Sequence, residues 1–376
     1  MQSRYEHALE ALNRRGRLRR LEGRAGIDFT SNDYLGFADS QALQNAVREA
    51  LDRGVPVGAG GSRLLRGNHP EHEALEAEAA RFFGAESALY FGSGFTANAA
   101  LMSTLPQRGD LVVHDALIHA SAREGLAASK ADVRECLHND AGHIAGILSG
   151  WRADHADGRC FVAIESLYSM DGDVAPLQDL ARVASRYDAM LLIDEAHATG
   201  VRGPQGRGLA AHLEGSANVV SLHTCGKALG ASGALLLMPE VLRRFMINRC
   251  RSFIYATAPS PLMAATVRAV LKLCADADDA RAVLEQRVTH FSQHLARMGL
   301  SSSSSQIQPV VLGADRRAVA AAAALAADGF DVRAVRPPTV PEGTSRLRIT
   351  LGTRHALSDI DALAGRLAHH LRDLAA

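Results

Sequence analysis

Short apolar runs alternate with longer amphipathic stretches from about residue 70 to about residue 240. The short runs are rich in Val, Ile, Leu and Phe, which is typical of strands buried on both faces of a sheet. The predicted strands are 88–91, 111–113, 161–164, 190–193, 219–222 and 234–238. The predicted helices are 71–83, 95–105, 121–128 and 176–187. This alternation predicts an α/β fold with a mostly parallel sheet that helices cover on both faces.

The last third of the chain has a different order of elements. Two helices, predicted at 261–274 and 280–298, lead to a serine run at 301–305 that we expect to be a loop. The elements after it are a strand at 307–312, a helix at 317–327, a strand at 346–351 and a helix from Ser358. They predict a smaller α+β domain. The predicted domains are an N-terminal helix and arm (1–36), a large domain (37–279) and a small C-terminal domain (280–376).

The N-terminus predicts a short amphipathic helix followed by a basic segment. Tyr5, Ala8, Leu9 and Leu12 share one face at helical spacing. Five arginines follow within residues 14–20. Such a run is usually a solvated helix face, and binding of an anionic substrate tail is the functional alternative.

Composition narrows the class of protein. Apolar residues are 47% of the 376 residues, so a large core can be buried, and 41 acidic residues balance 41 basic ones. A net charge of zero does not indicate nucleic acid as a partner. The sequence contains neither an apolar run of the ~18 residues of a membrane helix nor a signal-peptide core. Five scattered cysteines without metal-ligand spacing indicate reduced thiols in the cytoplasm and no metal site.

A lysine on a glycine-containing turn is the strongest single candidate for chemistry. Lys227 follows Gly226, shortly after the predicted strand 219–222. An amine held there suggests a phosphate-loop lysine or a Schiff-base lysine for an aldehyde cofactor, and a solvated turn lysine is the structural alternative. A phosphate loop requires a glycine and a hydroxyl residue where this chain has Ser221 and Ala228, so that motif is excluded.

Further candidates follow the carboxyl ends of neighbouring predicted strands, where ligands bind in such sheets. Gly94 opens the helix after strand 88–91, a position suited to binding an anion. Asp194 follows strand 190–193, where a buried carboxylate needs a cationic or hydrogen-bonding partner. The other candidates are His119, Ser169, His197 and Thr224. An anion cradle, an aromatic ring, a carboxylate, a hydroxyl and an amine are what pyridoxal 5′-phosphate requires, so we expect that cofactor.

Six motifs resemble those of the α-oxoamine synthases, a family of fold-type I pyridoxal-phosphate enzymes. They are SNDYLG (31–36), GAGGSRLLRGNHPEHE (58–73), SMDGD (169–173), DEAHATG (194–200), TCGK (224–227) and RPPTVPEGTSRLRIT (336–350). The resemblance covers nearly the whole chain, and the last motif resembles the biotin-biosynthesis branch of the family. It implies a seven-stranded, mostly parallel sheet in the large domain. It also implies a cytoplasmic homodimer with shared active sites, to which the loop 58–62 contributes.

The resemblance implies a role for each candidate residue. Lys227 would form the Schiff base, Asp194 would pair with the pyridine nitrogen and His197 with the ring oxygen. His119 would stack on the ring and assist in catalysis. The other residues that would bind the cofactor are Gly94, Phe95 and Thr224 at the phosphate, and Ser169. The residues that would bind substrate, besides His119, are Asn32 and Arg348 at the amino-acid carboxylate, and Arg19 and Thr339 at the acyl group.

The implied reaction is the decarboxylative condensation of L-alanine with a pimeloyl thioester, carried either by coenzyme A or by a carrier protein. The freed amine of Lys227 would remove the alanine Cα proton while the cofactor ring accepts electrons. The alternatives are a sister synthase that uses glycine, such as glycine C-acetyltransferase or 5-aminolevulinate synthase, a serine palmitoyltransferase-like enzyme, and an aminotransferase of the same fold. The sequence Pro337-Pro338-Thr339 argues against the glycine-using enzymes.

Overall fold

The computed structural model describes residues 2–21, 23–155 and 157–373. The helices are α1 (Gln2–Arg14), α2 (Gln41–Asp52), α3 (Pro70–Phe83), α4 (Gly94–Thr104), α5 (Ala120–Ala127), α6 (Ala141–Asp154), α7 (Leu177–Arg186), α8 (Glu240–Arg249), α9 (Arg251–Ile254), α10 (Pro261–Ala275), α11 (Asp278–Arg297), α12 (Asp315–Ala327) and α13 (Leu357–Asp373). The strands are β1 (Ile27–Asp28), β2 (Ser87–Phe91), β3 (Leu111–Asp115), β4 (Asp132–Cys136), β5 (Cys160–Glu165), β6 (Ala189–Asp194), β7 (Val219–Thr224), β8 (Ala234–Met238), β9 (Ile307–Gly313), β10 (Phe330–Asp331), β11 (Arg333–Val335) and β12 (Ser345–Thr350).

The chain divides into two compact units. The large unit consists of Leu35–Tyr168 and Val174–Asp279. The small unit consists of Met1–Tyr34, Ser169–Asp173 and Ala280–Ala376. The segment that we predict as an N-terminal arm therefore groups with the C-terminal residues.

A seven-stranded sheet forms the centre of the large unit, in the order β2-β8-β7-β6-β5-β3-β4. Strand β8 is antiparallel to β2 and β7, and the other neighbouring pairs are parallel. The prediction of a seven-stranded, mostly parallel sheet is confirmed. Glu165 pairs with Asp194 and Asp194 pairs with Leu222, so the carboxyl ends of β5, β6 and β7 lie side by side.

The sheet is apolar on both faces because helices pack against each of them. On one face, Val112 of β3 belongs to the same buried cluster as Leu101 of α4. On the other face, Leu111 belongs to a cluster with Trp151 of α6 and Leu180 of α7. This burial on both sides explains why the strands appear in the sequence as continuous apolar runs.

Several elements of the large unit have no counterpart among our predictions. Strand β4 lies at the sheet edge, and its first four side chains are exposed, so the apolar signal of a buried strand is missing. Helices α2, α6, α8 and α9 were not predicted either. The sequence of α2 does contain a helix start, because the Ser40 hydroxyl accepts a hydrogen bond from the Leu43 N–H at 3.3 Å.

The small unit contains a three-stranded antiparallel sheet in the order β11-β12-β9 and a short parallel pair, β1 with β10. The predicted smaller α+β domain is confirmed. Helix α1 forms as predicted, but none of its described residues is buried: Tyr5, Leu9 and Leu12 are 69%, 52% and 40% exposed. Among the described residues, no helix is long and apolar enough to cross a bilayer.

Candidate active site

Lys227 lies in the turn between β7 and β8. Its Nζ is 2.7 Å from Nε2 of His197, which is buried just after β6. Gly230 shapes the turn, with φ of 62°, and a Cβ there would lie 2.4 Å from the backbone nitrogen of Ala38. Only glycine fits that close approach, so the turn fixes the position of the lysine. The structure brings Lys227 and His197 into contact at one end of the sheet.

Asp194 ends strand β6, and only 9% of its surface is exposed. Its Oδ1 accepts a hydrogen bond from the Ala196 N–H at 2.9 Å, and its Oδ2 accepts one from Asn98 Nδ2 at 2.8 Å. Both donors are neutral, so they orient the carboxylate without cancelling its charge. A buried carboxylate of this kind is suited to a cationic partner such as a protonated ring nitrogen.

Asn98 contacts the candidate residue Asp194 and is a further candidate that the sequence analysis missed. It lies in α4, is 2% exposed, and also donates from Nδ2 to the Ser121 hydroxyl at 3.1 Å. Its Oδ1 is buried without a hydrogen-bond partner among the described residues. The sequence signal that could have identified it is an amide next to the buried apolar residues Ala97 and Leu101, since buried polar groups usually have a specific partner.

His119 caps the N-terminus of α5, where its Nδ1 accepts a hydrogen bond from the Ser121 N–H at 3.2 Å. The Ser121 hydroxyl is also 2.7 Å from that nitrogen. Burial is the main reason that the pKa of His119 is lowered; the Asp194 carboxylate opposes this shift and the Lys227 amine adds to it. Both charges act on the imidazole, so His119 belongs with Asp194 and Lys227. The lowered pKa favours a neutral ring.

The N-terminus of α4 forms a cradle for an anion. Ser93 caps the helix, and its hydroxyl accepts a hydrogen bond from the Thr96 N–H at 3.1 Å. A Cβ at Gly94 would lie 3.2 Å from Oγ1 of Thr224, so glycine keeps this space open. The N–H of Gly226 lies 3.4 Å from the same hydroxyl. Backbone N–H groups and a hydroxyl at a helix N-terminus suit a phosphate group.

Two further side chains lie near these candidates: Phe95 is about half exposed, and Glu195 is buried. Phe95 is 49% exposed, and its ring meets that of His119 edge to face, with centroids 6.4 Å apart. Glu195 is fully buried beside Asp194, but its carboxylate accepts hydrogen bonds from the Ser166 hydroxyl at 2.8 Å and from the backbone N–H of Leu209 at 3.2 Å. Glu195 therefore holds a loop in place.

Three of the predicted residues meet in the small unit around Arg348, which is buried. Its Nε donates to the Ser169 carbonyl at 2.7 Å, and its Nη2 donates to Asn32 Oδ1 at 3.2 Å. The fully buried Tyr34 donates from its hydroxyl to the same Asn32 oxygen at 3.0 Å. The side chains of Arg348 and Asn32 are thus held together in a fixed orientation.

Arg19 and Thr339 also meet in the small unit, with Nη2 of the arginine 3.4 Å from the threonine hydroxyl. A cavity of about 340 Å³ lies beside them, and Arg15, Pro337 and Pro338 contribute to its lining. The neighbouring Arg17 is engaged in ion pairs with Asp315 and Glu342. The basic segment is therefore partly structural, and Arg19 remains exposed at the cavity.

Comparison with known proteins places the chain in a large group of enzymes. The family model described as aminotransferase class I and II matches residues 24–367. The 8-amino-7-oxononanoate synthase of Chromobacterium violaceum is 43% identical over 345 residues, which cover 91% of this chain and 88% of the relative. The synthase of the same name from Anaeromyxobacter dehalogenans is 42% identical and covers 97% of this chain and 95% of its own.

Solved structures of two enzymes superpose on this chain over most of its length. A serine palmitoyltransferase of Sphingomonas wittichii superposes with a TM-score of 0.87 at 30% identity, covering 94% of this chain and 89% of its own. The 8-amino-7-oxononanoate synthase of Francisella tularensis superposes with a TM-score of 0.79 at 28% identity, covering 93% of this chain and 98% of its own. The predicted fold-type I transferase class is confirmed.

Proposed function

The chain belongs to the class I and II aminotransferase family. Within that family, we propose that it condenses L-alanine with a pimeloyl thioester. The products would be 8-amino-7-oxononanoate, carbon dioxide and the free thiol carrier, in biotin biosynthesis. Synthases with that product in their name are about 40% identical over nearly the whole chain. The observation that carries the chemistry is the 2.7 Å contact of Lys227 with His197 near the buried Asp194.

The residues present fit pyridoxal phosphate, the cofactor of this family. The open space at Gly94, beside the Thr224 hydroxyl and the N-terminus of α4, suits the phosphate. The buried Asp194 accepts hydrogen bonds from Asn98 and the Ala196 N–H, which are both neutral, so its carboxylate suits a protonated pyridine nitrogen. An amine for the aldehyde is present at Lys227. The donor set therefore matches the phosphate, the ring nitrogen and the aldehyde of the cofactor.

When bound, pyridoxal phosphate supplies an aldehyde for an amine and a protonated ring that accepts the electron pair of a carbanion. Asp194 would keep the proton on the ring nitrogen. Lys227 would hold the cofactor through its amine and, once released by the amine of alanine, would remove the Cα proton as general base. His197 would contact the ring oxygen of the cofactor and orient the lysine amine, and His119, with its lowered pKa, would present a neutral ring for stacking.

We assign the substrate groups to residues of the small unit. Arg348 would bind the alanine carboxylate, because a guanidinium can hold a carboxylate with two parallel hydrogen bonds, and Asn32 would support it. Arg19 and Thr339 would bind the acyl group at the cavity beside them. Ser169, whose carbonyl positions Arg348, would contact the cofactor.

We also propose a cytoplasmic homodimer in which the loop 58–62 reaches the partner's active site. The loop is anchored, since the Ala258 N–H donates to the Gly61 carbonyl at 2.8 Å. Next to it, Val57, Leu65 and Tyr255 are 66%, 84% and 74% exposed. Large exposed apolar side chains around one loop are typical of an interface. The five cysteines are buried thiols, consistent with a reducing compartment.

Rates for the four pairings of L-alanine or glycine with pimeloyl-CoA or acetyl-CoA test the proposal. Alanine and glycine differ by one methyl group, which a pocket distinguishes by about 1–3 kcal/mol, or roughly 10- to 200-fold. We expect L-alanine with pimeloyl-CoA to be fastest, with weak activity on glycine. Glycine with acetyl-CoA as the fastest pair would identify a sister acetyltransferase instead.

A further inference from the structure

Two histidines of α11 and an aspartate of α13 meet on the surface of the small unit. His290 and His294 are one helical turn apart, so their side chains share one face of α11. Nε2 of each ring lies 2.7 Å from the same atom, Oδ1 of Asp361. The two rings stand edge to face with centroids 5.0 Å apart, and the three polar atoms lie within 4.8 Å of one another.

We propose that His290, His294 and Asp361 form a binding site for a divalent transition-metal ion, with zinc as the best match. Imidazole nitrogen and carboxylate oxygen are both zinc ligands, and two histidines at i and i+4 of a helix are a common way to present them. Magnesium and calcium prefer sites built from oxygen ligands alone. Three protein ligands leave a fourth position for water.

Each nitrogen–oxygen pair of the site needs only a small movement to accept the ion. With bonds of 2.0–2.1 Å, the ligand atoms of a tetrahedral zinc site lie ~3.3 Å apart, slightly more than the 2.7 Å between each nitrogen and the shared oxygen. The side chains of His290, His294 and Asp361 are 29%, 21% and 53% exposed, so they have room to open by this amount. The ion would replace the direct contacts with Asp361.

A second histidine group in the small unit is less suited to a metal. His370 contacts Asp328 at 2.5 Å, but Arg366 also donates to that carboxylate. The fixed positive charge of the guanidinium opposes a second cation there. A ligand atom of His370 also lies within 4.8 Å of those of His369 and Asp373, which pair with each other at 3.4 Å. Among the described residues, the group around Asp361 therefore offers the better combination of ligands.

The sequence analysis predicted no metal ligands because the pattern is incomplete along the chain. The carboxylate lies 71 positions from one histidine and 67 from the other, and only the packing of α13 beside α11 brings it to them. These residues lie outside the set that we assign to cofactor and substrates. A bound ion would tie the two helices together and stabilise the small unit.

Equilibrium dialysis of the cofactor-loaded, tag-free chain against zinc, after treatment with a chelator, tests the site. We expect one tightly bound zinc per chain and a rise in melting temperature of about 2–4 °C at saturation. His294→Ala and Asp361→Asn should each weaken binding by at least ~10-fold and remove the thermal shift. Binding should weaken in acid, because the ligand nitrogens must be unprotonated.

His369→Ala, on the same helix as Asp361, is the matched control and should bind zinc like the parent chain. His290→Ala provides a third variant in case one of the others folds poorly, which circular dichroism would reveal. The proposal is wrong if the parent binds no stoichiometric zinc. It is equally wrong if the ligand variants bind as tightly as the parent, or if magnesium binds as well as zinc.

Discussion

Lys227 is the residue on which the proposed chemistry depends most directly. It could be selected from the sequence because it follows a glycine shortly after a buried strand, where an amine can be held for chemistry. The sequence also indicated Asp194 and His197. It did not indicate Ser121, because the contact between α4 and α5 that involves this residue has no pattern along the chain. Asn98 left only a weak signal, an amide among apolar residues, and its contact with Asp194 depends on how α4 packs against β6.

Lys227→Ala should abolish turnover, because the other lysines of the chain, Lys130 and Lys272, are not among the residues of the proposed site. The parent protein should be yellow when loaded with pyridoxal phosphate. Borohydride reduction followed by peptide mass analysis should locate the cofactor on Lys227. Attachment to a different lysine, or full activity of the variant, would contradict the assignment.

Asn98→Ala should lower kcat while the cofactor stays bound. The change removes one of the two hydrogen bonds that orient the Asp194 carboxylate, but it leaves the Ala196 N–H and the phosphate cradle. We expect a loss on the order of 10-fold, smaller than the roughly 10³-fold loss expected for Asp194→Asn, which removes the charge itself. A change in KM alone, or equal rates for variant and parent, would argue against a positioning role for Asn98.

At the scale of elements, the central strands could be predicted because burial on both faces makes them continuous apolar runs. Strand β4 could not, since its exposed side chains carry no such signal. Helix α3 shows that the apolar pattern does not predict buried ion pairs. Its apolar face could be predicted from the spacing of the apolar residues. The buried Glu76 on the same helix could not: it is 4% exposed and forms ion pairs with Arg63 at 2.8 Å and Arg243 at 3.3 Å.

Glu76→Ala should destabilise the large unit strongly. The carboxylate also accepts a hydrogen bond from the Tyr90 N–H at 3.0 Å, so its removal leaves a buried guanidinium and a buried amide without this partner. Breaking a buried pair of this kind costs about 3–5 kcal/mol. Thermal melting of the variant beside Glu73→Ala, which removes an exposed carboxylate from the same helix, measures the effect. Equal melting temperatures for the two variants would contradict this reasoning.

At the scale of the whole molecule, composition indicated a large globular protein and gave no reason to expect nucleic acid or membrane as partners. It could not indicate assembly, because exposed apolar side chains become a patch only once the chain is folded. Val57 and Leu65 are separated by seven residues that are mostly glycine or polar, and Tyr255 lies far from both in the sequence. Their exposure around the loop 58–62 is what makes a homodimer a testable proposal.

Leu65→Asp should weaken the dimer and lower activity together, because it places a charge in the proposed interface. Light scattering coupled to size-exclusion chromatography would measure the mass of each form. Val311→Asp, at a residue 55% exposed in the small unit, is the matched control and should leave the mass unchanged. A parent chain that is monomeric and fully active would contradict the proposed shared active sites.

The fate of the alanine carboxyl group distinguishes the proposed condensation from transamination. Purified protein loaded with pyridoxal phosphate would be incubated with pimeloyl-CoA and L-alanine labelled at the carboxyl carbon. We predict that the label leaves as carbon dioxide, in equal amount with released coenzyme A, and that the nine-carbon amino-oxo acid carries none of it. Label retained in pyruvate, with no release of coenzyme A, would instead show an aminotransferase and contradict the proposed condensation.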